Sequence, residues 1–173
     1  MLYTGKGDGG TTKVIGSSER FSKSSAITEA LGNLDELNAL LGLIRSEHQS
    51  FAETLEEVQQ NIFTICAGLA GSEKSLSEKK IAEVEKIIAE AEAELPPITS
   101  FSLPGGSAES AWLDLARTVA RRAERRAVAY HDEAKSVSPV SLKYLNRLSS
   151  LLFALTRLSN HRSGIKESAP RYN

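Results

Sequence analysis

Cysteine occurs once in the 173 residues, as Cys66, so no internal disulfide can form and a small disulfide-stapled secreted scaffold is excluded. No apolar run approaches the roughly 20 residues of a membrane-spanning helix. Net charge is almost absent. Twenty-one Lys and Arg stand against 22 Asp and Glu, a formal −1, which argues against a general nucleic-acid or membrane-surface binder. Histidine is sparse: His48, His131 and His161 are scattered without the spacing of metal ligands. No Ser-His-Asp arrangement can be read from the order of residues. Strand-like alternation is nearly absent from Ala26 onward.

What is present suits one compact domain. The hydrophobic fraction is 40% and the charged fraction 25%, ordinary for a globular protein and unlike a disordered chain. Apolar residues recur at helical spacing in five stretches. The first runs from about Ser25 to Ser46, through Ile27, Leu31, Leu34, Leu41 and Ile44. The second spans about Phe51 to Leu69, and Gly71 and Ser72 end it. The third covers about Ser77 to Leu95, with Ile81, Val84, Ile87, Ile88 and Ala91 inward, and Pro96-Pro97 stop it. A loop, "ITSFSLPGGS" (98–107), precedes the fourth helix, roughly 108–133, with Ser107 as its N-cap. A turn at Ser136–Pro139 leads to a fifth helix ending near His161. The expectation is an all-α, five-helix bundle in a single domain, 1–173. An N-terminal segment (1–24) leads in, the bundle occupies 25–163, and 164–173 form a tail.

Three features exceed what a plain bundle needs. The stretch "YTGKGDGGTT" (3–12) holds four glycines and three threonines beside Lys6 and Asp8. A segment so poor in apolar residues either frays or is ordered by something it holds. The fourth helix carries five arginines and no lysine in ten residues. Arg117, Arg121 and Arg125 lie four apart on one side together with Glu124, and Arg122 and Arg126 form a second line. A solvated cationic face with local ion pairs explains such a helix in general, but arginine is preferred where a planar fork must grip phosphate or carboxylate. A nucleic-acid helix would add further basic charge and exposed aromatics. Trp112 points away from the arginine line and is expected in the core. On the fifth helix Asn146, Ser150, Phe153 and Arg157 oppose the leucine arc, which suggests a second packing surface and makes Asn146 a candidate ligand-binding amide. Asp35 and Glu36 on the first helix are exposed by default. If Asp35 is buried, an arginine of the fourth helix is its natural partner. Phe101 beside "SLPGG" either anchors the loop in the core or lines a pocket.

Four ordered segments then point to one family. "YTGKGDGGTT" (3–12), "GNLDELNALLG" (32–42), "FSLPGG" with "ARTVARRAERR" (101–126) and "YLNRLSSLLFALTR" (144–157) resemble the PduO-type ATP:corrinoid adenosyltransferases. The resemblance implies a five-helix bundle assembled as a homotrimer with sites between subunits. It implies transfer of the 5'-deoxyadenosyl group of ATP to cob(I)alamin with release of triphosphate. It assigns Thr4, Gly5, Lys6, Gly7, Asp8, Gly10, Thr11, Thr12 and Lys23 to the triphosphate, with Arg121, Arg122, Glu124, Arg125 and Asn146 completing the ATP site. It gives Asp35, Phe101, Arg117 and Arg121 catalytic roles, with Asp35 and Arg117 as an ion pair on the corrinoid side. Mg2+ is expected mainly through ATP, with Glu124 either orienting the arginines or helping to hold the metal. A corrinoid reductase and an adenosylcobalamin-dependent enzyme are the implied protein partners, and no nucleic acid or membrane is expected. The expected compartment is the cytoplasm, or an organelle matrix if a transit peptide has been removed.

The sequence departs from the family pattern at the basic residue of the N-terminal motif, which is shifted to Lys6, at Ser150 where an aspartate is usual, and in its tail. Two other readings stay open. One is an ATP- and corrinoid-binding regulatory or delivery protein with weak turnover. The other is a structural bundle whose arginine face binds phosphate or RNA.

Overall fold

A computed structural model of the chain describes residues 2–134 and 136–172. The outer ends of the expected lead-in and tail, Met1 and Asn173, lie outside the described residues. Five helices form the body: α1 (Ala26–Glu47), α2 (Ala52–Leu69), α3 (Glu78–Glu94), α4 (Ala108–Ala134) and α5 (Pro139–Arg162). Each boundary has a local cause. The Ser107 hydroxyl accepts from the Ser110 amide at 3.0 Å and starts α4. The Ser138 hydroxyl accepts from the Ser141 amide at 3.1 Å, with Pro139 pre-set for the first turn of α5. Pro96 follows immediately on the end of α3.

The helices pack in the spatial order α2, α1, α4, α5, α3. Leu34, Leu37 and Leu41 of α1 are fully buried against this assembly, as are Leu145, Leu148, Leu151 and Leu152 of α5. Each such side chain contributes about 2 kcal/mol of burial. The two ends of the series are tied by polar contacts. Asn61 of α2 donates to the Tyr144 hydroxyl of α5 at 3.2 Å, and Lys80 of α3 pairs with Glu57 of α2 at 2.5 Å. No helix among the described residues is long and apolar enough to cross a membrane.

Two expectations need correction. The N-terminal segment contains a small antiparallel hairpin, β1 (Thr11–Lys13) with β2 (Arg20–Ser22), in which Thr12 faces Phe21. Three-residue strands are too short for alternation to show. The hairpin is anchored by Val14, which is buried at its base. Trp112 is not a core residue: 37% of its surface is exposed, and Leu113, one position on, takes the buried place. The tail is tied to the loop before α4 and to α5. The Leu103 amide donates to Ser168 O at 2.8 Å, and Glu167 accepts from Arg157 at 3.2 Å. The loop 98–107 and the tail therefore lie side by side over the end of α5. This covering explains why α5 is buried on every face from Ala154 to Asn160.

Candidate functional site

The five arginines of α4 divide into two sets. Arg117 donates through Nε to Asp114 at 3.0 Å and lies 5.9 Å from the Phe153 ring centre of α5. Arg122 reaches α1, where Nε donates to Asn33 at 2.8 Å and Nη2 pairs with Glu36. Arg126 pairs with Glu29, also on α1, at 3.6 Å. Arg121 and Arg125, both exposed, make no hydrogen bond or ion pair among the described residues. Two guanidinium groups, one turn apart and unneutralised, form an anion site of the kind a phosphate chain occupies. Arg122 is turned away from it.

Arg121 opens into a cavity of about 430 Å³ shared with Phe101, Arg117, Ser149, Ser150 and Phe153. Phe101 is 81% exposed, so it is a lining side chain and not a core anchor. Three of the four expected catalytic residues thus meet in one place. Asp35 is the exception. It is exposed and makes no hydrogen bond or ion pair among the described residues, and within the chain Arg117 pairs with Asp114, three residues before it on the same helix. Asp35 faces α2 instead, near Cys66. Burial pushes the Cys66 thiol up to about 11, and the Asp35 charge adds to that rise.

Behind the arginines Asn146 donates to Glu124 Oε1 at 2.9 Å and accepts from Arg147 Nη1 at 2.9 Å. Arg147 in turn holds Glu85 of α3 at 2.7 Å. This chain fixes the amide of Asn146 and leaves it one free N–H for a ligand.

The expected phosphate loop is ordered by its own turns. Asp8 N donates to Gly5 O at 3.1 Å, and Gly10 N to Gly7 O at 3.1 Å. Gly5 and Gly10 take φ of 67° and 78°, a region closed to most side chains. Lys23 N donates to Gly10 O at 2.9 Å, and a Cβ on Gly7 would lie 3.2 Å from Lys23 Nζ. The Lys23 ammonium therefore rests on the loop. Arg20 staples both ends: Nη2 donates to Lys6 O at 2.5 Å and to Thr11 O at 2.9 Å, and Nε to the Thr11 hydroxyl at 3.0 Å. Thr4 bonds weakly to the Lys6 amide at 3.4 Å, and Thr12 lines a groove with Phe63 and Cys66.

The cavity that Arg121 lines and the groove that the N-terminal segment lines share no residue. The Arg121 cavity includes no residue before Ile98, and the N-terminal segment lines a separate groove on α1 and α2. Among the described residues no cluster of three His, Cys, Asp or Glu could hold a metal ion. Glu124 alone stands on α4 among the arginines. One carboxylate is compatible with Mg2+ where phosphate oxygens supply other ligands.

Sequence reading missed Asp114, Arg20 and Asn160. Asp114 precedes Arg117 by three positions, a helical ion-pair spacing that was available as a signal. Arg20 acts mainly on backbone carbonyls, and Asn160 donates to Gly105 O at 3.3 Å and accepts from the Ser107 amide at 3.3 Å, contacts that no side-chain pattern reveals.

The sequence profile of the cobalamin adenosyltransferase family matches residues 2–159. A corrinoid adenosyltransferase PduO from Citrobacter freundii is 40% identical over 92% of this chain and 50% of its own length. A corrinoid adenosyltransferase from Bacillus subtilis is 37% identical over 95% of this chain and 89% of its own. The chain thus spans about half the length of the PduO relatives from Citrobacter freundii and Salmonella typhimurium. Among solved structures, a phenylalanine-to-histidine variant of a PduO-type ATP:corrinoid adenosyltransferase from Lactobacillus reuteri, complexed with cobalamin and ATP, superposes with a TM-score of 0.93. It is 30% identical and covers 99% of this chain and 97% of its own. An arginine-to-lysine variant from the same organism, complexed with ATP, gives a TM-score of 0.92. With the profile running across the N-terminal segment and all five helices, this chain belongs to the cobalamin adenosyltransferase family.

Proposed function

We propose that the chain transfers the 5'-deoxyadenosyl group of ATP to cob(I)alamin and releases triphosphate. The observation that carries this reading is the pair of unneutralised guanidinium groups, Arg121 and Arg125, with Arg121 sharing a cavity with an exposed Phe101. Cob(I)alamin is itself the nucleophile. Its cobalt forms a bond to C5' of ATP as the C5'–O bond breaks, and the electron pair leaves on the triphosphate. The protein must align these atoms and stabilise the leaving charge.

Arg121 and Arg125 meet the developing negative charge. Thr4, Gly5, Lys6, Gly7, Asp8, Gly10, Thr11, Thr12 and Lys23 wrap the phosphates, the glycines letting backbone N–H groups approach closely. Asn146 holds the nucleotide through its free N–H, and Glu124 fixes Asn146. Arg122 is assigned to bracing α4 on α1. Mg2+ would be held by phosphate oxygens with Glu124 as its protein contact, where it neutralises triphosphate charge. Phe101 occupies the lower axial side of the corrin, keeping ligands off that face. An axial ligand is the lever on a metal's reduction potential, so its removal favours reduction to the reactive state.

Separation of the two half-sites supports a shared site. The phosphate loop and Asp35 sit on the α1–α2 side of the bundle, and Phe101, Arg117 and Arg121 sit on the α4–α5 side. In a homotrimer each site takes one half from each neighbour, and Asp35 then meets Arg117 of the adjacent copy. The free thiol suits a reducing compartment, cytosol or organelle matrix. There a corrinoid reductase would deliver the substrate, and an adenosylcobalamin-dependent enzyme would take the product.

The test is the fate of the phosphates. With ATP and chemically reduced cob(I)alamin, intact triphosphate is expected to appear in equal amount with alkylated corrinoid. Release of ADP or orthophosphate, or no release at all, overturns the assignment.

A further inference from the structure

Phe101 sits in a stretch with no support of its own. Among the described residues, none of residues 97–102 makes a hydrogen bond. The stretch is a bridge, and its position is decided by its two ends. Both bases of the loop are held by one turn of α5, and between them the Leu103 amide donates to Ser168 O of the tail at 2.8 Å and the Gly105 amide to Asp114 Oδ2 at 3.4 Å. Arg157 Nη2 donates to Pro96 O at 3.0 Å, on the near side of Phe101. Asn160 Nδ2 donates to Gly105 O at 3.3 Å and its Oδ1 accepts from the Ser107 amide at 3.3 Å, on the far side. These two side chains are almost fully buried, Arg157 at 8% and Asn160 at 3% exposed.

The fit on the far side is close. Gly106 has φ of 135°, and a Cβ there would lie 2.1 Å from Asn160 Oδ1, so the backbone comes as near as a glycine permits. Asn160 uses donor and acceptor together on backbone groups two residues apart. Arg157 keeps its charge paired with Glu167 of the tail, at 3.2 Å, while its other nitrogen reaches the carbonyl. A buried arginine and a buried asparagine are costly to place in a helix end unless each is bonded. Here each is spent on the base of the same loop.

We propose that Arg157 and Asn160 are positioning residues for Phe101: they clamp both ends of the loop 96–107 and so set how far the phenyl ring reaches into the cavity. This rests on the reading of Phe101 as the group that covers the lower corrin face. Displacement of a reacting assembly by about 1 Å can cost about 100-fold in rate. The clamp acts on the step that depends on Phe101, the reduction of cob(II)alamin, and not on attack by corrinoid already reduced.

The experiment compares Asn160→Ala, Arg157→Lys and, as a contrast, Glu167→Gln, which keeps the Pro96 contact. Each is assayed with ATP on cob(II)alamin plus reductant and on chemically reduced cob(I)alamin. Electron paramagnetic resonance follows four-coordinate cob(II)alamin. Asn160→Ala and Arg157→Lys are expected to lose at least about tenfold on cob(II)alamin and less than about threefold on cob(I)alamin. The four-coordinate signal should fall while ATP affinity holds within about twofold. Glu167→Gln should behave as the unmodified protein. Equal losses on both substrates, or an unchanged four-coordinate signal, would overturn the clamp. Should Arg157→Lys not fold, Asn160→Ala decides. An unmodified protein inactive on cob(I)alamin contradicts the proposed function instead. The clamp is then judged by amide exchange at Leu103, Gly105 and Ser107, whose amides are hydrogen-bonded, and exchange no faster in Asn160→Ala than in the unmodified protein refutes it.

Discussion

Asp114 bonds Arg117 with one oxygen and the loop backbone with the other: Oδ1 accepts from Arg117 Nε at 3.0 Å, and Oδ2 accepts from the Gly105 amide at 3.4 Å. One carboxylate thereby joins a cavity arginine to the turn that follows Phe101. Their side chains are 11% and 25% exposed, between the surface and the buried case. Asp114→Asn is therefore expected to destabilise the fold by about 2 kcal/mol, above a surface pair and below a buried one. Urea denaturation measures it, and a change below about 0.5 kcal/mol would mean that the pair is idle.

The arginines of α4 should separate by phenotype. Arg121→Ala and Arg125→Ala remove groups with no partner among the described residues, so stability should stay within about 0.5 kcal/mol while turnover falls about 100-fold or more. Arg122→Ala breaks contacts to Asn33 and Glu36 and should show the reverse, a loss of about 1 kcal/mol with a smaller effect on turnover. Steady-state kinetics beside thermal unfolding on the same preparations would reveal a swapped pattern.

Glu124 and Asn146 form one unit and should not add. Asn146→Ala and Glu124→Gln are each expected to raise the KM for ATP by about tenfold, and the double variant hardly more. Independent, multiplying effects in the double-mutant cycle would show that the Asn146 bond is idle and that Glu124 acts through Mg2+ alone.

Alkaline pH should weaken the fold through two groups. Burial raises Cys66 from 9.0 to about 11, and raises Tyr144 from 10.0 to about 12, the Asn61 hydrogen bond partly opposing the latter. A raised folded-state value means that the folded chain holds its proton longer than the unfolded chain. This stability is complete below about pH 9 and is lost as pH rises toward 11 and 12. Stability should be flat from pH 7 to 9 and fall beyond. Cys66→Ala should remove the earlier part of the fall. At pH 8 a thiol reagent should modify folded Cys66 at least about tenfold more slowly than the unfolded chain.

Helix positions were legible because their causes are local. Ser107, Pro139 and Pro96-Pro97 mark boundaries to within a residue or two, and the leucine stripes give the inward faces. The hairpin of Thr11–Lys13 with Arg20–Ser22 was not legible, since three residues carry no period and its pairing joins positions seven to eleven apart. Trp112 misled because pointing away from the arginine line does not by itself place a residue inward, and the buried positions are Leu113 and Ala116. Phe101 and Arg121 were named from motif residues, and they share a cavity. Asp35 was named with them but lies toward Cys66 on the α2 side.

The most direct measurement of the central claim is the corrinoid spectrum. The protein is mixed in the dark with ATP, Mg2+ and chemically reduced cob(I)alamin, then exposed to light. The account predicts conversion to a species with the adenosylcobalamin spectrum that light destroys, and its absence in Arg121→Ala. An unchanged cob(I)alamin spectrum, with ATP binding shown separately by calorimetry, would contradict it and leave a protein that holds the nucleotide without transferring from it.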